Sequence, residues 1–159
     1  MKVTVISVGK LKEGYLRAAV SEYQKRLSRY CNLEIIELID EKTPDFISDA
    51  MVTQIKDKEG KRILARIREK TFLIPLAIDG NQLSSEEFAS FIQRKMVAGI
   101  SDITFVIGGS LGLSEKVMNK ADMILSFSKL TFPHQIMRVL LLEQIYRGFR
   151  IITGEPYHK

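Results

Sequence analysis

Apolar residues in this chain fall into five short runs separated by stretches with helical spacing. Val3 to Val8 is an apolar-leaning run of strand length. Leu16, Ala19, Val20, Tyr23 and Leu27 recur at helical spacing and predict a helix over 16–30. Leu33 to Ile39 reads as a second strand with acids interleaved, and Thr43-Pro44-Asp45 punctuates the connection that follows. A long basic helix runs from there to about Glu69, with Ile55, Ile63 and Ile67 among its apolar positions. Phe72 to Ile78 predicts a third strand. Ser84 then opens a helix, with Glu87 three residues on, so hydroxyl and carboxylate can satisfy each other's free helix N–H groups. Ile103 to Ile107 is a fourth strand, Ser114 caps a short helix, and Ile124 to Phe127 is a fifth strand before a long C-terminal helix.

Strand and helix alternating in this way predict an α/β fold, a mostly parallel sheet with helices on both faces. There is no internal repeat, no low-complexity tract and no linker long enough to divide the chain, so residues 1–159 are expected to form a single domain. In open α/β sheets ligands bind beyond the carboxyl ends of the strands. Those ends are Val8-Gly9, Ile78-Asp79-Gly80, Ile107-Gly108-Gly109 and Phe127-Ser128, and a site is expected where the last three converge. The final helix is apolar nearly all round between Arg138 and Glu143 (Val139, Leu140, Leu141, Leu142). A helix of that kind is buried on every side, which in a chain this small favours a homodimer.

Composition narrows the chemistry. A single cysteine, Cys31, rules out an internal disulfide or a cysteine-based metal site, and two histidines are too few for a zinc site without acids. No metal is expected. The apolar run at the start is too short for a signal-peptide core or a membrane span, so a cytoplasmic protein with no membrane association is expected. The net charge of +5 is unevenly spread: from Lys56 to Lys70 there are seven basic residues against three acids. Such a stretch is either a solvated helix face or a surface for a polyanion.

Four features carry candidate chemistry. The turn Ile107-Gly108-Gly109-Ser110-Leu111-Gly112 follows a strand and precedes a helix, so its backbone N–H groups can approach a ligand closely. It lacks both the dinucleotide and the P-loop spacing, which leaves either a tight turn or a site for a ligand with little or no phosphate. Asp79, Ser110 and Lys129 stand where a phospho-acceptor receiver domain has its acid, hydroxyl and lysine, but Val8-Gly9-Lys10 supplies no acids to hold magnesium. His134 follows Pro133 in the first turn of the last helix, where the helix dipole disfavours the imidazolium, so it is either a packing residue or a neutral base. The tail Glu155-Pro156-Tyr157-His158-Lys159 ends in an aromatic ring and a cation, with Arg147 and Arg150 nearby on the helix, and suits a nucleobase and a phosphate.

Taken together, FVIGGSLGLSEKV, LSFSKLTFPHQIMRVLLLEQIYRGFRIITG and the final PYHK resemble the bacterial large-subunit ribosomal RNA methyltransferase H family, of the SPOUT class of knotted methyltransferases. The opening MKVTVISVGKLK and the LAIDG after the third strand fit too, and the resemblance spans essentially the whole chain. It implies methylation of N3 of a pseudouridine in helix 69 of 23S rRNA, with S-adenosylmethionine as donor and the assembled 70S ribosome as substrate. It also implies a homodimer and a deep C-terminal trefoil knot, an exception to the rule that chains do not thread. Carried onto this chain, it assigns the cofactor to Leu76, Gly108, Phe127, Ser128, Lys129, Leu130, Thr131 and Phe132. A donor without phosphate agrees with a glycine turn that lacks phosphate fingerprints.

The resemblance gives the remaining candidates roles. His134 orients the base or takes the N3 proton, with His158 as second candidate. Arg147, Tyr157 and Lys159 position the nucleotide, and Lys159 favours its anionic form. Some relatives have arginine at the position of Lys159; lysine keeps the charge but loses the planar fork. The tail is expected to act on a partner subunit's cofactor. Methylation of another RNA, such as a tRNA, and a non-catalytic RNA-binding dimer are the rival readings.

Overall fold

The structure, a computed structural model, describes residues 1–157. In chain order the elements are β1 (Lys2–Val8), α1 (Gly14–Leu27), β2 (Asn32–Leu38), α2 (Asp49–Leu64), β3 (Phe72–Gln82), α3 (Ser85–Val97), β4 (Asp102–Ile107), α4 (Glu115–Asn119), β5 (Leu125–Ser126) and α5 (His134–Ile152). The strands form one sheet in the order β2-β1-β4-β3-β5, and every neighbouring pair is parallel. Alternation along each strand sends side chains to two cores. Val3 and Val5 of β1 join Ile103, Phe105 and Ile107 of β4 beneath α1, α3 and α5. Ile6, Val8, Leu73 and Val106 point the other way, onto Ile63 of α2 and Val117 of α4. Each such side chain contributes about 1.5–3 kcal/mol on full burial, which accounts for the central strands being apolar on both faces apart from the buried Thr4, Ser7 and Thr104. The α/β sheet with helices on both faces is as expected.

The helix starts follow their caps. The Ser84 hydroxyl accepts from Glu87 N–H at 3.1 Å while the Glu87 carboxylate accepts from Ser84 N–H at 2.7 Å, completing the expected capping box. Ser114 caps α4 through Val117 N–H at 3.4 Å. Gly60 lets α4 pack closely on α2, because a Cβ there would lie 2.3 Å from Ser114 Oγ.

Three element boundaries depart from the sequence expectation, as does the burial along α5. α2 stops at Leu64, not Glu69. Arg68 leaves the helix to pair with Glu34 of β2 at 2.8 Å and Asp102 of β4 at 3.3 Å, so part of the basic stretch is spent on the fold. β3 runs past Ile78 to Gln82, changing partner on the way: Phe72 to Pro75 pair with β4, while Leu76, Asn81 and Gln82 pair with β5. β5 itself is only Leu125–Ser126, and both Leu76 and Asn81 register on Leu125. At this crossing Gly80 is obligatory, since a Cβ would sit 2.7 Å from the carbonyl carbon of Leu125 and 2.8 Å from the oxygen of Ile124. Finally, α5 is not surrounded within one chain. Ile136 is exposed and Val139 and Leu140 are half-buried, whereas the charged Arg138 is almost completely buried.

Candidate active site

A cavity of about 820 Å³ opens beyond the carboxyl ends of β3 and β4, where the segment after β5 passes them. The convergence of three strand-end turns is the one expected, and the volume is that of a small-molecule site. The first wall is the loop inside β3, with Leu76, Ala77, Ile78 and Asp79. The second is the glycine turn. Gly108 has no room for a side chain, as a Cβ would meet the carbonyl carbon of Gly112 at 2.9 Å and its oxygen at 3.0 Å. Gly112 N–H closes the turn on Gly109 C=O at 3.1 Å, with φ of +86° at Gly112, which favours glycine. The third wall is Phe127, Ser128, Leu130, Thr131, Phe132 and Pro133. It is shaped locally: Ser126 Oγ donates to Ser128 C=O at 3.1 Å, and Leu130 N–H donates to Ser128 Oγ at 2.9 Å.

Seven expected cofactor residues therefore line one cavity: Leu76, Gly108, Phe127, Ser128, Leu130, Thr131 and Phe132. Lys129 does not; it is exposed and lies outside the lining. His134 stands at the cavity edge, the first residue of α5, with Pro133 at the N-cap. Burial lowers the pKa of its imidazole, Arg138 lowers it further, and Asp40 opposes both. The shift favours the neutral ring, whose lone pair can accept a proton.

Arg138, one turn along, supports this corner. Its guanidinium donates to Glu37 Oε2 at 2.6 Å and to Gly9 C=O at 2.9 Å. Gly9 (φ +92°) has its Cβ position 3.3 Å from His134 Nε2, so the end of β1 presses on the imidazole. Sequence reasoning missed this role because Arg138 falls in a run read only for its apolar neighbours. It also missed Lys56, which lines the cavity, and Glu59, buried behind it. The stretch around both reads as a basic helix whose charges serve either solvent or a polyanion, with no residue assigned to the cavity.

Arg147 and Tyr157 lie elsewhere. At the usual helical rise, residues 134 and 147 are about 20 Å apart along α5. Arg147 pairs with Glu143 at 2.7 Å, and Tyr157 O–H donates to the same carboxylate at 3.2 Å. The Arg147 guanidinium sits 4.7 Å from the Tyr157 ring centre, and Tyr157 meets Tyr146 edge-on at 5.0 Å. Burial, helped by Tyr23 and Glu143, pushes the Tyr157 phenol up to about 12, so it stays protonated. His158 and Lys159 lie outside the described residues. Among the described residues, no three His, Cys, Asp or Glu side chains gather to hold a metal ion, and no helix is long and apolar enough to cross a membrane.

Residues 1–158 match the family model described as "Predicted SPOUT methyltransferase". The chain is 60% identical over its full length, and that of the relative, to ribosomal RNA large subunit methyltransferase H of Clostridium tetani, and as similar to its counterpart in Clostridium perfringens. The chain belongs to the ribosomal RNA large subunit methyltransferase H family. The counterpart from Bifidobacterium adolescentis is 58% identical, again over the whole of both chains. Among solved structures, this methyltransferase H chain shares its fold with the tRNA (m1G37) methyltransferase of Aquifex aeolicus, at TM-score 0.55 and 14% identity over 100% of this chain and 75% of that one. A probable methylase family protein from Haemophilus influenzae aligns at TM-score 0.53 and 12% identity, over 99% of this chain and 70% of that one.

The chain is thus an S-adenosylmethionine-dependent methyltransferase, and the cavity fits that donor. The side-chain-free cradle at Gly108 admits a ligand against the backbone. Leu76, Ile78, Leu125 and Phe127 offer apolar contact for an adenine, and no cluster of cations demands a phosphate.

Proposed function

We propose that this chain methylates large-subunit ribosomal RNA, at N3 of a pseudouridine in helix 69 of 23S rRNA in the assembled 70S ribosome, and that it does so in the cytoplasm as a homodimer. The observation that carries the reading is a neutral His134 on the rim of the donor cavity, in a chain whose full-length relatives are ribosomal RNA large subunit methyltransferases H. Bound S-adenosylmethionine supplies an activated methyl group to a nucleophile held in line with it. N3 of pseudouridine is an imide nitrogen and must give up its proton to become that nucleophile. The His134 imidazole takes the proton; burial and Arg138 keep it available. The apolar rim formed by Leu130 and Phe132 excludes water from the reacting pair.

The tail belongs to the same reading through the dimer. Arg147 lies about 20 Å along α5 from His134 with Tyr157 packed beside it, too far to reach their own cavity, while Ile136 is exposed and Val139 and Leu140 are half-buried on that helix. A partner packed on these residues would bring Arg147, Tyr157, His158 and Lys159 to the other subunit's base. The tight crossing of β5 past Gly80 supports the deep trefoil knot.

The deciding experiment is transfer of labelled methyl from S-adenosylmethionine to ribosomes from cells lacking the protein, comparing 70S particles, free large subunits and bulk tRNA. Label confined to 23S rRNA of 70S particles is the expected result. Label on tRNA instead would discard the substrate. Mixing tail-deleted subunits with cofactor-dead subunits should restore one active site, and no recovery would end the shared-site model.

A further inference from the structure

Glu59 is a buried carboxylate that the proposed mechanism does not use. It sits on α2 with 4% of its surface exposed. Its Oε1 accepts the Glu41 N–H at 3.0 Å, but its Oε2 is buried and has no hydrogen-bond donor among the described residues. Burying half a carboxylate without a partner is costly, so the position calls for one. The carboxylate lies directly behind the cavity wall. The Cβ position of Gly109, a lining residue, is 3.0 Å from Oε2 and 3.2 Å from Oε1. Any side chain larger than hydrogen at Gly109 would push the carboxylate away from the cavity.

The charged surroundings do not satisfy it either. Asp40 and Glu41, from the loop after β2, add negative charge. Arg62, from the next turn of α2, is the cation that faces it, and Arg62 is already paired with Glu41. The glycine turn brings no charged side chain, and β1 contributes the apolar Val8. Burial, with Asp40 adding to it, raises the Glu59 pKa from its ordinary value despite the Glu41 N–H. Lys56, three residues earlier on α2, is the cation that lines the cavity, but Glu59 Oε2 has no hydrogen bond to it among the described residues, so the carboxylate lacks a cationic partner in contact.

S-adenosylmethionine carries a sulfonium that its demethylated product, S-adenosylhomocysteine, does not; the two are otherwise the same apart from the methyl group. We infer that the Glu59 carboxylate is the counter-charge for the bound donor, acting through the bare backbone of Gly109, and that it makes the site prefer S-adenosylmethionine over S-adenosylhomocysteine. Glu59 touches neither ligand and is a positioning residue. The inference rests on the cofactor and not on which RNA is methylated, so its test contains no RNA. It also gives product release a driving force: once the methyl leaves, the charge that held the ligand is gone.

The sign of the pH dependence follows. Ionised Glu59 attracts the cationic donor, so donor affinity rises with pH through the Glu59 titration, and product affinity does not. Calorimetric titration of the full chain with each ligand, at acid and at neutral pH, reads the ratio of their dissociation constants. In the native protein the preference for the donor should rise with pH. Glu59→Gln keeps the shape and the acceptor for Glu41 N–H. It should flatten the ratio and weaken donor binding about tenfold, leaving product binding within about threefold. A ratio of donor to product affinity left unchanged by Glu59→Gln, in a variant that melts as the native chain does, would overturn the inference. So would a pH-dependent ratio that survives Glu59→Gln and disappears in Asp79→Asn or His134→Asn, since those two side chains also line the cavity.

Discussion

Arg138→Met removes the one buried guanidinium of α5 while keeping most of its volume. Two interactions go with it: the ion pair to Glu37 at 2.6 Å and the bond to Gly9 C=O at 2.9 Å. Hydrogen bonds to a charged group contribute about 1.5–3 kcal/mol each. Two effects reduce the sum. The side chain of Glu37 is 39% exposed and recovers water once its partner leaves. Methionine also avoids the desolvation of a buried charge. The net loss is then about 2 kcal/mol, a fall in Tm of about 4–8 °C for a chain of this size. The variant has a second, local signature. Arg138 is one of the causes that lower the His134 pKa, so in the variant the imidazole titrates closer to its ordinary value, which NMR of the ring protons follows directly. Acid stability changes as well. Burial raises the Glu37 pKa, but the bonds from Arg138 and Leu11 N–H outweigh it, so the folded-state value lies below the unfolded one. Its contribution is present above the unfolded pKa and lost as pH falls through the folded value. The variant should therefore lose less stability on acidification than the native chain. An unchanged or raised Tm together with an unmoved His134 would refute the whole account of this corner.

His134→Ala should lower turnover by about 10²-fold or more while cofactor affinity, measured separately, changes little; equal losses in both would make His134 a pocket residue. Gly80→Ala drives a methyl into backbone and should cost about 3 kcal/mol or prevent folding, whereas Gly99→Ala, at φ +81° with nothing within 4 Å, carries only the conformational strain of about 1 kcal/mol; equal melting points for the two would contradict the crossing. Leu130→Ala should weaken S-adenosylmethionine binding by about tenfold and Lys129→Ala hardly at all, because only the former lines the cavity; calorimetry separates them. Reversing the exposed Lys58 and Lys61 together should weaken ribosome binding and reduce its salt dependence, read as the slope of log affinity against log salt. Reversing Arg68 should instead lower the melting point, because it pairs with Glu34 and Asp102.

Much of the fold was legible because its signals are local. Ser84 with Glu87, Ser114 before a short helix, and the apolar-leaning runs at β1 and β4 each report on a few neighbouring residues, and each element formed where its signal stood. The errors came where a distant partner decides. Nothing near Leu64 ends α2; the pull on Arg68 comes from β2 and β4. Nothing within 72–78 announces that β3 changes partners and continues, since that depends on β5 arriving at Gly80. The candidate site divides the same way. The lining residues were found because they sit at strand ends and in one turn. Glu59 and Arg138 were hidden because a charged side chain on a helix reads as solvated, and its burial depends on which face meets the sheet.

The length of α5 then connects the two halves of the proposed reading. Its first turn holds His134 at the cavity, Glu143 stands at its middle and Arg147 a turn further on, and Tyr157, beyond its end, joins them. Arg147 is about 20 Å along the helix from His134, longer than a side chain can bridge. The cluster is also committed in place: Glu143 accepts from both Arg147 and Tyr157, and Tyr146 packs against the Tyr157 ring. The described end of the tail is therefore held by contacts of its own, outside the lining of its own donor site. For Arg147 and Tyr157 to position a base that receives a methyl, the base must lie at a second chain's cavity, and the half-covered strip of Ile136, Val139 and Leu140 runs along the same helix between the two stations. Dimerisation and the use of the tail are in that sense one requirement: an interface on this strip that failed to bring the cluster to the opposite cavity would leave Arg147 and Tyr157 with nothing to position.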